Sequence, residues 1–142
     1  MFQGASQLTL DSKGRMSMPS RHRDALMASC DGRLTLTRHP DGCVLVYPRS
    51  TWEVRREQVA ALPFSARFLQ RIVLGSAVDL ELDSAGRILV PGELRSLCQL
   101  NREVMLMGMG AHFELWDAHR LAEEESKALA GGLPDAAANF TF

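Results

Sequence analysis

Asp11-Ser12-Lys13-Gly14-Arg15 returns seventy-two positions later as Asp83-Ser84-Ala85-Gly86-Arg87. The flanks agree as well. Leu8 and Leu10 align with Leu80 and Leu82, Pro19 with Pro91, and Arg23 with Arg95. An internal repeat constrains a fold strongly, because each copy must bury its apolar face against another copy. Two copies fall short of the roughly three that a solenoid needs. They point to a pseudo-symmetric pair.

The chain in order supports this reading. Gln7-Leu8-Thr9-Leu10 alternates as a half-buried strand. Asp11 to Gly14 reads as a turn: Asp and Ser bond their own backbone, and Gly supplies a positive φ. Arg15-Met16-Ser17-Met18 alternates again, and Pro19 ends it. Ser20 is a candidate N-cap for a helix over 21–29, with Gly32 closing the region. Two β-type runs, 34–37 and 44–47, flank Pro40-Asp41-Gly42 and His39, a hairpin signal. Ser50 with Glu53 fits a capping box. Trp52, Val59 and Leu62 then share a helical face up to Pro63. Phe64, Phe68 and Ile72, flanked by Leu69 and Val73, predict a second helix ending near Gly75.

The second copy repeats the order: Val78, Leu80 and Leu82, the turn at 83–86, a strand to Pro91, and a helix over 93–100. A hairpin over 104–107 and 113–116 turns at Gly108-Met109-Gly110. Asp117 is the expected N-cap of a last helix, and beyond Gly131-Gly132 a small-residue tail is expected to be mobile. The expected organisation is repeat one over 5–51, a helical hairpin over 52–76, repeat two over 77–120, and a C-terminal helix and tail over 121–142. One copy is too small to bury both faces of its strands. Two copies about a pseudo-twofold axis close a small barrel and remove most sheet edges, with the two turns side by side.

The net charge of −1 conceals an asymmetry. Residues 1–76 carry eleven Lys/Arg against six Asp/Glu, and residues 77–142 carry five against eleven. That pattern permits a nucleic-acid face without requiring one. No apolar run approaches the ~18 residues of a membrane span, and the start lacks the pattern of a signal peptide. Cys30, Cys43 and Cys98 are odd in number and far apart, and read as buried free thiols in a reducing cytosol. No phosphate-binding loop or nucleophile elbow is present. His22, His39, His112 and His119 are scattered with no metal-ligand spacing, so neither metal nor cofactor is expected. His119 follows Asp117 closely, a pair that a capped helix end explains. Met105, Met107 and Met109 alternate as core filler. Arg55 and Arg56 read as a solvated helix face, as do Arg67 and Arg71 unless they meet a neighbouring subunit.

The two turns are the candidate functional residues. A tight Gly turn projects Arg15 or Arg87 from a strand start at a fixed angle, with Lys13 at the first tip. Arginine fits guanine O6 and N7, or a phosphate, with a rigid fork. Two such ribbons on a symmetric body suit a major groove. The other reading is that Asp11 and Asp83 bind these arginines and the pair only braces each turn. Residue types alone leave both open.

The pattern Asp11-Ser12-Lys13-Gly14-Arg15-x-x-x-Pro19, with Asp83-x-x-Gly86-Arg87-x-x-x-Pro91, resembles the MraZ family of bacterial transcription regulators. Met1-Phe2-x-Gly4-Ala5, Leu45-x-Tyr47-Pro48-x-x-x-Trp52-Glu53 and Phe113-Glu114-Leu115-Trp116-Asp117 extend the likeness over about residues 1–120. The resemblance implies a mainly β fold with short helices: an AbrB/MazE-like double-split, swapped-hairpin β-barrel with both half-domains in one chain. It also implies a cytoplasmic, nucleoid-associated, ring-shaped homo-oligomer and no enzyme or small-molecule substrate. Such proteins bind short G-rich direct repeats in promoter DNA, and repress the division and cell-wall gene cluster. DNA contacts carry over onto Lys13, Arg15 and Arg87, with Asp11, Gly14, Asp83 and Gly86 forming the turns. Ala85 stands where a second Lys is expected, so the first turn should contribute more. The alternatives are an interaction module that titrates a partner such as a methyltransferase, or an antitoxin-like regulator. The 22 residues after Arg120 are short for a toxin-wrapping tail.

Overall fold

The computed structural model describes residues 1–142. Eight strands run in chain order: β1 (Ala5–Thr9), β2 (Arg15–Ser17), β3 (Arg33–Arg38), β4 (Val44–Pro48), β5 (Val78–Glu81), β6 (Arg87–Leu89), β7 (Glu103–Gly108) and β8 (Phe113–Asp117). The helices are α1 (Ser20–Cys30), α2 (Arg49–Ala60), α3 (Arg67–Val73), α4 (Gly92–Leu97), α5 (Ala118–Ala130) and α6 (Asp135–Ala138), with a 3-10 turn over Phe64–Ala66 before α3. One antiparallel sheet has the order β1-β7-β8-β4-β3-β5, and β2 pairs with β6 in a separate ribbon.

This order is the swapped arrangement of two pseudo-symmetric halves. The first strand of each copy pairs with the hairpin of the other: β1 with β7, and β5 with β3. The pseudo-twofold axis is visible in the registers. Met16 faces Ile88, its own counterpart in the repeat, and Leu45 faces Glu114, each the second residue of its strand. Leu10 N–H donates to Arg102 O (2.8 Å), and Leu82 N–H to Gly32 O (2.9 Å), so Arg102 and Gly32 are equivalent positions. The fold is mainly β with short helices, a split barrel whose seam is the β2–β6 ribbon.

Strand alternation divides the core in two. Leu34, Leu36, Val44, Val46, Val104, Leu106, Phe113 and Leu115 point inward, against Met16 and Ile88 of the ribbon and Leu26 and Leu94 of α1 and α4. The opposite faces carry Leu45, Tyr47 and Trp116, which pack under Trp52, Val59, Ile72, Val73 and Leu121 of the helices. The central strand β4 is consequently buried at every position. Thr37 lies on that second face and donates its hydroxyl to Val73 O (2.6 Å).

Several local expectations change. Neither Ser20 nor Ser50 caps a helix. Pro19, Pro48 and Pro91 hold the N-cap positions, with φ from −52° to −57° and no side-chain cap. A strand-ending proline has its φ already set, and its carbonyl starts the helix directly: Pro19 O accepts from His22 N and Arg23 N (3.0 and 2.9 Å). The helix following Pro91 stops at Leu97, not Leu100. Phe64 and Phe68 stand 78 % and 70 % exposed, while Ile72 and Val73 carry the buried side of α3. Met105 and Met107 pack against the second core, but Met109 is exposed. The tail contains the helical turn α6, where no regular element is expected from its sequence. The Cys thiols are free and buried, as read. Asp117 does cap α5, accepting from Arg120 N (3.1 Å), and it also accepts from Asn101 N (3.1 Å).

The N-terminal Met-Phe-x-Gly-Ala segment closes the β7 end of the barrel. Phe2 N donates to Gly110 O (2.7 Å), Gly110 N to Phe2 O (2.9 Å), and Gly108 N to Gly4 O (2.9 Å). Phe2 packs on Phe113 with tilted rings (4.3 Å between centroids, 35° between planes), with His22 edge-on to both. Gly108 thus belongs to β7, and the turn shifts to Met109–His112. A Cβ on Gly108 would overlap the backbone of Phe2 and Gln3. Gly108→Ala is therefore expected to destabilise the protein by about 1–3 kcal/mol through overpacking. A melting temperature equal to that of the parent would show that the segment gives way at no cost.

Candidate nucleic-acid interface

The two turns share one geometry. Asp11 Oδ1 accepts N–H groups of Lys13 and Arg15 (both 2.9 Å), and Oδ2 accepts from Arg15 Nε (2.7 Å). Asp83 repeats this with Ala85 N and Arg87 N (both 2.9 Å) and Arg87 Nε (3.0 Å). Gly14 and Gly86 donate back to Asp11 O and Asp83 O (3.0 and 2.9 Å) at φ of +88° and +76°. A non-glycine residue at either position would be strained. The bracing reading and the projecting reading thus hold together. Each carboxylate fixes its arginine through Nε, and no protein group engages the Nη atoms. The arginine side chains are 37 % and 39 % exposed.

Position on the ribbon decides where these forks point. Met16 and Ile88 are buried, so Arg15, Ser17, Arg87 and Leu89 occupy the outer face. In register, Arg15 opposes Leu89 and Ser17 opposes Arg87. The two arginines therefore lie diagonally on one face, roughly 8 Å apart at their Cα atoms from strand spacing and rise. The turns are not directly side by side. They stand at opposite ends of the ribbon, each against the far end of the other strand: Val90 N donates to Gly14 O (2.8 Å), and Met18 N to Gly86 O (3.0 Å). Lys13 is exposed at the tip of the first turn, and Ala85 is exposed at the second.

A second pair of arginines supports the turns from behind, and it is crossed. Arg95 of α4, in the second copy, lies under the first turn. Its Nε donates to Val90 O (3.0 Å), and a Cβ on Gly14 would come within 2.5 Å of that nitrogen. Arg23 of α1, in the first copy, lies under the second turn and donates from Nη1 to Ala85 O (3.3 Å). The repeat places Arg23 and Arg95 in matching positions, but their role depends on the swap and is invisible in the sequence.

The Asp carboxylates are electrostatically committed. The N–H of Arg15, together with the Arg15 guanidinium and Lys13 N–H, outweighs partial desolvation and holds Asp11 down to about 2 from an ordinary 3.8. The same set around Arg87 and Ala85 lowers Asp83. A carboxylate with a depressed folded pKa contributes stability above its unfolded pKa and loses it as pH falls through the folded value. The first turn should accordingly hold at neutral pH and open between about pH 4 and pH 2. Carbon-13 titration of the Asp11 carboxyl is expected to show a midpoint near 2. A midpoint at 3.8 would mean that the clamp does not form in solution.

Comparison with known proteins bears on what such a face belongs to. A family model described as "MraZ protein, putative antitoxin-like" matches residues 1–74 and again 73–138, one match for each copy. Proteins named Transcriptional regulator MraZ are similar over the whole of both chains. Those of Herminiimonas arsenicoxydans and Bordetella pertussis are 61 % identical over 142 residues, and that of Ralstonia pickettii is 58 % identical. With two matched halves, a swapped barrel and full-length relatives at this identity, the chain belongs to the MraZ family.

Proposed function

We propose that this chain is a transcriptional regulator that binds double-stranded DNA through its two Asp-x-x-Gly-Arg turns. The observation that carries this reading is the pair of arginines on one outer face, each held at Nε by its own aspartate with both Nη atoms free. A preorganised fork loses little entropy on binding, and its free edge suits guanine O6 and N7. Each turn has one rear cation, Arg95 behind the first and Arg23 behind the second, so Lys13 against Ala85 makes the first turn the stronger of the two. Relatives named as regulators support the role. The finer reading is repression of the division and cell-wall gene cluster, including the gene for this chain, by binding short G-rich direct repeats in the promoter, in the cytoplasm at the nucleoid. No helix is long and apolar enough to cross a membrane.

Arg15→Ala and Arg87→Ala separate base reading from the other roles. Each is expected to fold normally, to cost about 1–3 kcal/mol in affinity for operator DNA, and to relax base preference. Equal weakening on operator and random DNA would assign the arginines to phosphate alone. Variants that fold and keep the parental preference would sink the base-reading role.

A ring-like homo-oligomer completes the reading. One turn pair offers few cationic contacts, and several pairs matched to successive DNA repeats gain avidity of roughly 10²–10⁴. Phe64 in the 3-10 turn and Phe68 in α3 stand exposed, with Arg67 over the Phe64 ring at 4.5 Å, and supply an apolar face for a second copy. Light scattering should report an oligomer for the parent and smaller species for Phe64→Ser/Phe68→Ser. A parental monomer at working concentration would contradict the ring.

A further inference from the structure

The pseudo-twofold axis equates the two turns, but their surroundings differ. Beside the first turn lies an open hollow of about 270 Å³, lined by Asp11, Ser12, Arg95, Asn101 and Arg102 with Leu10 and Leu100 at its base. Arg102 is exposed and has no carboxylate partner, and its backbone is fixed by the bond from Leu10 N. Arg95, at the back, is also without a carboxylate partner and bonds only Val90 O through Nε. Asp11 brings little repulsion, since its oxygens are taken by the Lys13 and Arg15 N–H groups and the Arg15 guanidinium. Glu103, next along the strand, lines an adjoining hollow with Asp117 and His119, which Asn101 and Arg102 also border.

The equivalent place beside the second turn is built differently. The matched bonds of Leu10 to Arg102 and Leu82 to Gly32 put Gly32 where Arg102 stands, and Asp31 just before it shares a left-handed backbone with Gln99 of the second copy. The Asp31 side chain is 85 % exposed. Arg33 nearby is turned back on its own loop, with Nε on Cys30 O (3.4 Å) and Nη2 4.0 Å from Asp31. One turn is thus flanked by two uncommitted cations and two neutral hydrogen-bonding side chains. The other keeps Arg23 in the place of Arg95 and Ser84 in the place of Ser12, but has Gly32 in the place of Arg102, with the exposed Asp31 carboxylate beside it.

We propose that the hollow between the first turn and the α4–β7 loop is a seat for one DNA backbone phosphate, held by Arg102 with Arg95, Ser12 and Asn101, and that the second turn has none. The seat rests on the reading of the turns as a DNA interface and adds a polarity to it. The first turn anchors the protein to the backbone on one side of the arginine pair, and the second turn meets bases without that anchor. A near-symmetric body thereby takes a single orientation on DNA, which suits direct rather than inverted repeats. Phosphate contacts of this kind position a protein and carry no sequence information themselves.

The test uses the full-length protein, an operator duplex, a scrambled duplex, and operators with one neutral methylphosphonate linkage at successive positions. Arg102→Ala removes only an exposed side chain and is expected to keep the parental melting temperature. It should weaken binding about equally on operator and scrambled DNA and lower the salt slope by about one. The loss should accordingly be about three- to four-fold greater at 50 mM than at 200 mM salt. One methylphosphonate position that weakens the parent should leave Arg102→Ala unaffected. Asp31→Asn, at a left-handed position (φ 55°) that asparagine tolerates, should tighten binding on both duplexes. An unchanged slope for Arg102→Ala, or identical linkage sensitivity in parent and variant, overturns the seat. In that case loss of operator preference by Arg15→Ala would still uphold the turns. A parent that binds neither duplex overturns both.

Discussion

The backbone pairing of Met16 with Ile88 at the pseudo-twofold axis is the contact on which the architecture depends. It joins equivalent residues of the two copies and drives both side chains into the core, where each is 1 % exposed. The same crossing sends β1 to β7 and β5 to β3, so neither copy owns a complete sheet. Each half supplies the edge partner that the other lacks, and exposed N–H and C=O groups along the hairpins are satisfied without a third element. A repeat that closed on itself would leave its Leu8/Leu10 or Leu80/Leu82 strand without a core to face.

The swap also makes the two turns interdependent. Each is closed locally by an aspartate that takes three N–H donors, and each is supported from the opposite copy by Arg23 or Arg95. Local chemistry sets the shape of the turn and tertiary chemistry sets its attitude on the ribbon. Fixing Arg15 and Arg87 through Nε reconciles two roles that look exclusive in sequence. An arginine has several donors, so one edge can brace a turn while the other stays presented to solvent.

Much of the fold was legible because its signals are local. Alternation in Leu8–Leu10, Leu34–Thr37 and Phe113–Trp116, turn chemistry at Pro40-Asp41-Gly42, and the cap at Asp117 depend on near neighbours in the chain. The misreadings have physical causes. Ser20 and Ser50 looked like caps because their composition fits, but the preceding proline already fixes the backbone that a cap would set. Phe64 and Phe68 looked like core because period and hydrophobicity cannot tell an inward stripe from an outward one. Phe64 lies in the 3-10 turn and Phe68 in the first turn of α3, which stands clear of the core, while Ile72 and Val73 at the other end of the helix reach it.

The sequence by itself determined that two equivalent units exist, that each carries an Asp-x-x-Gly turn with an arginine after it, and that both strands and turns follow a common order. These are properties of residue spacing and of backbone conformations that Gly, Pro and Asp impose within a few positions. Tertiary structure alone decided which strand pairs with which and that the arginines share one face diagonally. It also decided that Arg95 lies under the first turn and that Arg102 flanks it while Asp31 flanks the second. The reason is that these placements depend on contacts between residues far apart in the chain, such as Arg23 with Ala85, 62 positions apart, and Leu10 with Arg102, 92 positions apart. Such contacts are fixed by the exchange of hairpins across the axis, and no local propensity encodes that exchange.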